Sequence, residues 1–280
     1  ESIAGFARDA EAAGFDSLWV GDRALTPVDP SDIYPGHTPE NPYPEQYKTF
    51  LDPLTVLTVA ATATSRVRLG TSTLTAPWHP PLLLARTLTS LDHVSGGRLD
   101  VGLGVGWLRD EYTAVNADFG RRGARLDEIL DVLYGIWSEK EFAHDGPHWT
   151  IPRAHVGLRP VQQPRPPVYL GGFSPAAMRR IGRRADGWAG VALAPGAHAG
   201  LWSVARRAAE EAGRDPDALR QHIRHNPRPG DSSEDIAAVL AGVRESGADS
   251  CFVDLQQSVS GPQEALDLGA KVLERVRAGG

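Results

Sequence analysis

Seven short runs that read as strands alternate with stretches of helical spacing along this chain, and that alternation restricts the fold more than any other feature. The runs are "SLWVG" (17–21), "VRLGTSTLT" (67–75), "RLDVGLGVG" (98–106), "VYL" (168–170), "WAGVALA" (188–194), "QHIRH" (221–225) and "CFVDL" (251–255). Helical periodicity places Ile3, Phe6, Ala7 and Ala10 on one face, stopping near Gly14. It recurs over 80–94 with Leu84, Leu88 and Leu91, and over 126–137 with Ile129, Leu130, Leu133 and Ile136. Further helices follow Ser174 and span 200–212, 233–245 and 263–277. Strand–helix alternation implies a parallel sheet with right-handed crossovers. Seven strands are one short of a TIM (β/α)8 barrel, and the chain opens on a helix. The expectation is therefore an α/β TIM barrel over 1–280 as one domain, its first strand missing upstream of Glu1. An open doubly wound sheet is the alternative.

Composition narrows the function classes. The net charge of −6 argues against nucleic acid as a partner, and no apolar stretch approaches the ~20 residues of a membrane span. The one cysteine, Cys251, excludes an internal disulfide framework and suits a reducing cytoplasm. It lies in an apolar run, which reads as packing rather than catalysis. The expected partner is a small-molecule substrate, and the reading allows a homodimer. Lys48, Lys140 and Lys271 are the only lysines and none ends a strand, which disfavours a phosphosugar isomerase or aldolase.

Barrel enzymes work at the C-terminal ends of their strands. In 98–106, Gly102, Gly104 and Gly106 share one face, because residues two apart in a strand point the same way. Three inward glycines would leave a slot where a flat ligand could touch backbone; the alternative is close packing against a bulky neighbour. In "PVYLGGFSPAAMRRIGRR" (167–184) a strand ends in two glycines and a helix starts at Ser174 and Pro175. Ser suits the N-cap, Pro suits the first helical position, and a helix start favours a phosphate. From the residues alone this is either a phosphate cradle or a tight turn.

Together, "AEAAGFDSLWVGDR", "RVRLGTSTLTAPWHPPLLLARTLTSLDHVSGGRLDVGLGVGWLRDEY", "RRGARLDEILDVLYGIW" and "PRPPVYLGGFSPAAMRRIGRRADGW" resemble the luciferase-like monooxygenase superfamily, most closely its deazaflavin-dependent (coenzyme F420) oxidoreductase branch. The resemblance runs from residue 1 to about 190 and more weakly through "ESGADSCFVDLQ". It implies a TIM barrel that binds F420, or alternatively FMN, at its C-terminal face and transfers hydride. It places Asp22 near the cofactor ring, a cis peptide between Ser72 and Thr73 behind the ring, and the cofactor phosphate on Gly172, Phe173 and Ser174. Gly104 joins the cofactor set. Where the family often has His after the acidic residue, this chain has Arg23; where one branch has Glu after the glycine strand, it has Trp107. Arg23, Trp78, His79 and Trp107 are expected to border the substrate, with Arg23, His79 and Trp107 the catalytic candidates. An FMN-dependent monooxygenase and a flavin-binding barrel without turnover are the alternatives.

Other groups read more plainly. Arg179, Arg180, Arg183 and Arg184 suggest a solvated face, or else a contact for the acidic tail of F420. His144 and His148 flank Gly146 and Pro147 and do not read as a metal site, and His222 and His225 fall on opposite strand faces. No metal is expected. The Pro-rich segment from 26 to 47, with Tyr34, His37, Tyr43 and Tyr47, suggests a lid over the cofactor.

Overall fold

The computed structural model describes residues 2–279, and the alternation is realised as a near-closed parallel barrel. In chain order the elements are α1 (Ile3–Ala13), β1 (Ser17–Val20), α2 (Pro53–Ala63), β2 (Arg68–Thr71), β3 (Leu74–Thr75), α3 (Pro81–Ser95), β4 (Leu99–Gly104) and α4 (Arg109–Ala114). Then follow α5 (Arg122–Ser138), β5 (Glu141–Asp145), β6 (Thr150–His155), β7 (Val168–Leu170), α6 (Pro175–Arg184), β8 (Gly187–Val191) and α7 (Pro195–Glu211). The chain continues with β9 (Arg220–His225), α8 (Ser233–Glu245), β10 (Ser250–Val253) and α9 (Pro262–Ala278). The barrel strands run β1-β2-β4-β7-β8-β9-β10, with β3 also on β4. Every pairing among them is parallel. β1 and β10 do not pair with each other, so the barrel stays open between them. No helix among the described residues is long and apolar enough to cross a membrane.

Capping residues set the helix limits. Ser2 accepts the Gly5 N–H at 3.1 Å to start α1, and Gly14, at φ 93°, ends it. Asp52 accepts the Thr55 N–H at 2.7 Å ahead of Pro53. Ser232 and Asp235 form a reciprocal capping box at α8. Along β4, Leu99, Val101 and Leu103 are wholly buried in the main apolar cluster with Leu69, Leu84, Leu88, Ile129, Leu133, Val168 and Ile181. The alternate positions look into the barrel. There Asp100 binds Arg68 at 2.6 Å, the Trp19 ring stacks on Phe252, and His222 meets Trp19 at a tilt and Tyr169 edge-on.

β2 and β3 occupy one barrel position, interrupted by Ser72 and Thr73, whose peptide bond is cis. Opposite β4 the register moves from Gly70↔Asp100 to Leu74↔Leu103, four residues against three. The extra residue pushes the chain over β4, and glycines make room for it: a Cβ at Gly102 would lie 1.8 Å from the Thr71 carbonyl oxygen, and one at Gly104 2.3 Å from Thr73 Oγ1. The open slot expected along Gly102, Gly104 and Gly106 is therefore corrected: Gly106, at φ 65°, lies past the end of β4 against Thr75. The Thr71–Thr73 segment fills it, and Gly104 is buried beneath Thr73.

The β5–β6 hairpin is antiparallel and docks on α5, where Gly135 leaves space for the Phe142 ring. Glu128 of α5 clamps it. Its carboxylate meets His144 Nε2 at 3.0 Å and His148 Nδ1 at 2.5 Å, and accepts the Trp149 N–H at 2.9 Å. Burial opposes the charge, but these bonds hold the carboxyl below its ordinary range. The two histidines thus serve a structural carboxylate, and no His, Cys, Asp or Glu cluster among the described residues could hold a metal. Glu128→Ala is expected to cost about 1.5 kcal/mol, read from urea midpoints, because buried donors lose a charged acceptor. An unchanged midpoint would deny the clamp its role.

Candidate active site

The C-terminal ends of the barrel strands open into a cavity of about 1110 Å³. It continues down the side of the barrel between β1 and β10, past Phe6, Leu266 and Val272. At its mouth lie Asp22, Arg23, Ser72, Thr73, Trp107, Tyr34, Tyr47 and Arg224. Asp22 and Arg23 follow β1, Ser72 and Thr73 bridge β2 and β3, Trp107 follows β4, and Arg224 comes from β9. Arg224 Nη1 donates to the Ser72 carbonyl at 3.0 Å, which ties the far wall to the Ser72–Thr73 peptide.

Asp22 accepts the Thr75 N–H at 2.8 Å, yet burial pushes its carboxyl up. Arg23 Nη2 lies 3.2 Å from Glu111 Oε2, an ion contact without hydrogen-bond alignment. Glu111 also accepts the Ala24 N–H at 2.9 Å. Its side chain has no exposed surface, and burial drives the carboxyl up to about 7 against the pull of Arg23 and the Ala24 and Leu25 N–H groups. Burial likewise favours neutral His79, with Asp22 opposing.

Trp78 Nε1, His79 Nε2 and Arg224 Nε are buried without partners among the described residues. Unpaired buried donors call for an acceptor, and a ligand rich in carbonyl or phosphate oxygen would supply one. Trp78 and His79 border the site but do not line the cavity. Neither does the 171–174 turn, although a Cβ at Gly171 would lie 3.1 Å from Thr73 Cγ2. In that turn Ser174 Oγ accepts the Ala177 N–H at 3.2 Å, and Phe173 is exposed beside Trp188. The N–H groups of Gly172, Phe173 and Ser174 have no acceptor among the described residues. The donors of the turn, together with the orphaned Nε of Arg224 on the cavity wall, are of the kind that a ligand rich in phosphate and carbonyl oxygen could use.

The arginine run is a solvated face in part, with Arg179 and Arg183 exposed and Arg180 and Arg184 half-buried. Arg180 binds Asp127 at 2.7 Å, Arg184 pairs with Asp131, and Arg183 meets Glu211 at 3.5 Å. Only Arg179 of the four is exposed and unpaired among the described residues. The 26–47 segment is a strap tied to the start of α4: Ser31 N–H donates to Asp110 at 2.8 Å, and Asp32 binds Arg109 at 2.6 Å. Tyr34 and Tyr47 reach the cavity, Tyr43 is buried with its hydroxyl on the Pro27 carbonyl, and His37 stays on the strap.

The family described as luciferase-like monooxygenase matches residues 1–275. The chain belongs to it. The Mycobacterium tuberculosis protein Rv0953c is 34% identical over 189 residues, covering 65% of this chain and 64% of that protein. Among solved structures, the monooxygenase RslO1 from Streptomyces bottropensis superposes with a TM-score of 0.80 at 21% identity, covering 99% of this chain and 92% of that one. An F420-dependent secondary alcohol dehydrogenase in complex with an F420–acetone adduct gives 0.79 at 18%, covering 98% and 94%. Within this luciferase-like barrel, Glu111 and Arg224 are the site residues that sequence reasoning missed. A carboxylate four positions after Trp107, beyond the end of a barrel strand, was the available signal for Glu111.

Proposed function

We propose that this luciferase-like protein is an oxidoreductase transferring hydride between coenzyme F420 and a small organic substrate. The observation that carries the reading is the trio of unpaired N–H groups at Gly172, Phe173 and Ser174, next to a cleft floored by Ser72 and Thr73. The phosphate would rest on the turn, and Asp22, Ser72, Thr73 and Arg224 would surround the ring. Gly104 would act indirectly by seating Thr73. The bound cofactor supplies the hydride chemistry. The chain's own groups orient, exclude water and hold charge. Asp22 lines the cavity with its carboxyl raised by burial and is the group placed to exchange a proton there, with His79 and Glu111 behind the wall. The quoted resemblance favours F420. An FMN-dependent reaction is the second reading, supported by the commitment of Arg180, Arg183 and Arg184 to carboxylates, which leaves little free basic surface for an acidic tail.

Fluorescence titration of the purified protein with F420 and with FMN tests the choice. F420 is expected to bind at least about tenfold more tightly at low salt. Equal or tighter FMN binding would promote the second reading. The turn is tested with charge. Gly172 is unsuitable, because φ 142° strains any side chain and a Cβ would lie 2.6 Å from Ala177 Cβ. Exposed Ala176, in the first turn of α6, is the better position. Ala176→Asp is expected to bind about thirtyfold more weakly than Ala176→Asn, roughly 2 kcal/mol, with the gap closing as salt rises. Equal affinities would remove phosphate from this helix start.

A further inference from the structure

Arg23 is held as a binding group. Its side chain is only 8% exposed, its Nε donates to the Asp22 carbonyl at 3.3 Å and its Nη2 faces Glu111 at 3.2 Å. Nη1 has no acceptor among the described residues. The guanidinium lies 4.8 Å from the Trp107 ring centre and 5.4 Å from that of Tyr47. Tyr34 stands edge-on to both, at 5.1 Å from Tyr47 and 5.4 Å from Trp107, and Phe50 closes the box at 5.7 Å from Tyr47. Arg23 and all four rings line the same cavity.

We propose that this end of the cleft takes a planar aromatic carboxylate, with the carboxylate on Arg23 and the ring among Tyr34, Tyr47 and Trp107. The inference rests on the reading of the cleft as a substrate site, and it adds the substrate class. Each alternative ligand leaves something unmet. A second cation would compete with Arg23 for the ring faces it already covers. A neutral aromatic would leave Nη1 dry in a low-dielectric pocket. An aliphatic acid would forgo the edge-to-face contacts that four rings offer. The carboxylates near Arg23 are Asp22 and Glu111, and Asp254 pairs across the cleft with Arg224 at 3.9 Å. Burial works against the charge of both Asp22 and Glu111, so Arg23 keeps positive potential for an incoming anion.

Calorimetry on the purified chain with 2-naphthoate, 2-naphthamide and cyclohexanecarboxylate tests this. The naphthoate is expected to bind at least about tenfold more tightly than either competitor. The double variant Arg23→Gln/Glu111→Gln, which removes the pair without stranding a buried charge, should erase the preference for acid over amide. The wild-type comparison stands by itself if that variant does not fold. No naphthoate binding, equal binding of the amide or of the aliphatic acid, or a preference that survives in the double variant would overturn the proposal. Titration with F420 and FMN on the same preparation separates the two readings. Cofactor binding without the naphthoate preference overturns this inference alone, and the preference without cofactor binding overturns only the oxidoreductase reading.

Discussion

Gly102→Ala is expected to lower stability by at least about 3 kcal/mol, whereas Gly104→Ala two residues along costs about 1 kcal/mol. Both glycines face the segment that crosses β4, and both would drive a Cβ into it. They differ in what the Cβ meets. At Gly102 it is the Thr71 carbonyl oxygen, 1.8 Å away, in a backbone held by Thr71 Oγ1 donating to the Gly102 carbonyl at 2.6 Å and accepting its N–H at 3.0 Å. That oxygen cannot retreat without unpairing β2 from β4. At Gly104 it is Thr73 Oγ1 at 2.3 Å, with Thr73 Cβ behind it at 3.2 Å. That side chain can yield by a change of χ1 and a small shift where a backbone carbonyl cannot. Urea unfolding separates the cases, and equal costs would mean that the crossing segment yields as a unit. Because Thr73 lies on the cleft floor, Gly104→Ala should weaken cofactor binding by more than its small stability cost suggests, whereas Gly102→Ala acts on the fold.

Most of the barrel strands were legible because they carry a short apolar run bounded by turn residues, as burial in a parallel sheet demands. Polar β9 was legible through alternation, with Gln221 and Ile223 its buried positions. α2 was not. Its residues, "PLTVLTVAATA", are apolar all round and follow a Pro-rich strap, so no stripe marks them as a helix. The β5–β6 hairpin was missed because only Phe142 and Ile151 are buried along it, too few to show alternation. α7 begins five residues earlier than its apolar periodicity, since Pro195 can open a helix without an amphipathic face above it. In the site, Asp22, Ser72 and Thr73 were legible through quoted motifs. Glu111 was not, because its partner Ala24 lies 87 positions away and only the packing of the strap on α4 brings them together. The glycine face was legible as a face, but spacing cannot tell a slot for a ligand from a seat for the protein's own chain.

The largest pH effect is expected from Glu111. Between pH 4.5 and pH 8 the wild-type protein should lose about 3 kcal/mol of stability relative to Glu111→Gln. The folded state raises this carboxyl from 4.5 to about 7, chiefly through burial. Below 4.5 the group is protonated in both the folded and the unfolded chain, and it contributes nothing that depends on pH. Between the two values the folded protein keeps a proton that the unfolded chain has released, so raising the pH favours unfolding. Above about 7 the group is ionised in both states and the penalty stays constant. Gln has nearly the same shape and offers an acceptor to the Ala24 N–H, but it has no proton to lose. The other titrating groups are common to the two proteins, and of these Asp22, whose charge also raises Glu111, is the neighbour whose titration the substitution changes. The difference between the stability curves therefore reports Glu111 together with its coupling to Asp22. Removing the partner of Arg23 shifts the whole Gln curve by a constant amount, because the guanidinium stays charged throughout. The slope of the difference therefore carries the test. Parallel curves from pH 4.5 to pH 8 would mean that Arg23 and the strap N–H groups hold Glu111 ionised in the ordinary carboxylate range. Glu111 could then exchange no proton near neutrality, and the proposed reaction would be left with Asp22, which lines the cavity, and His79 behind it.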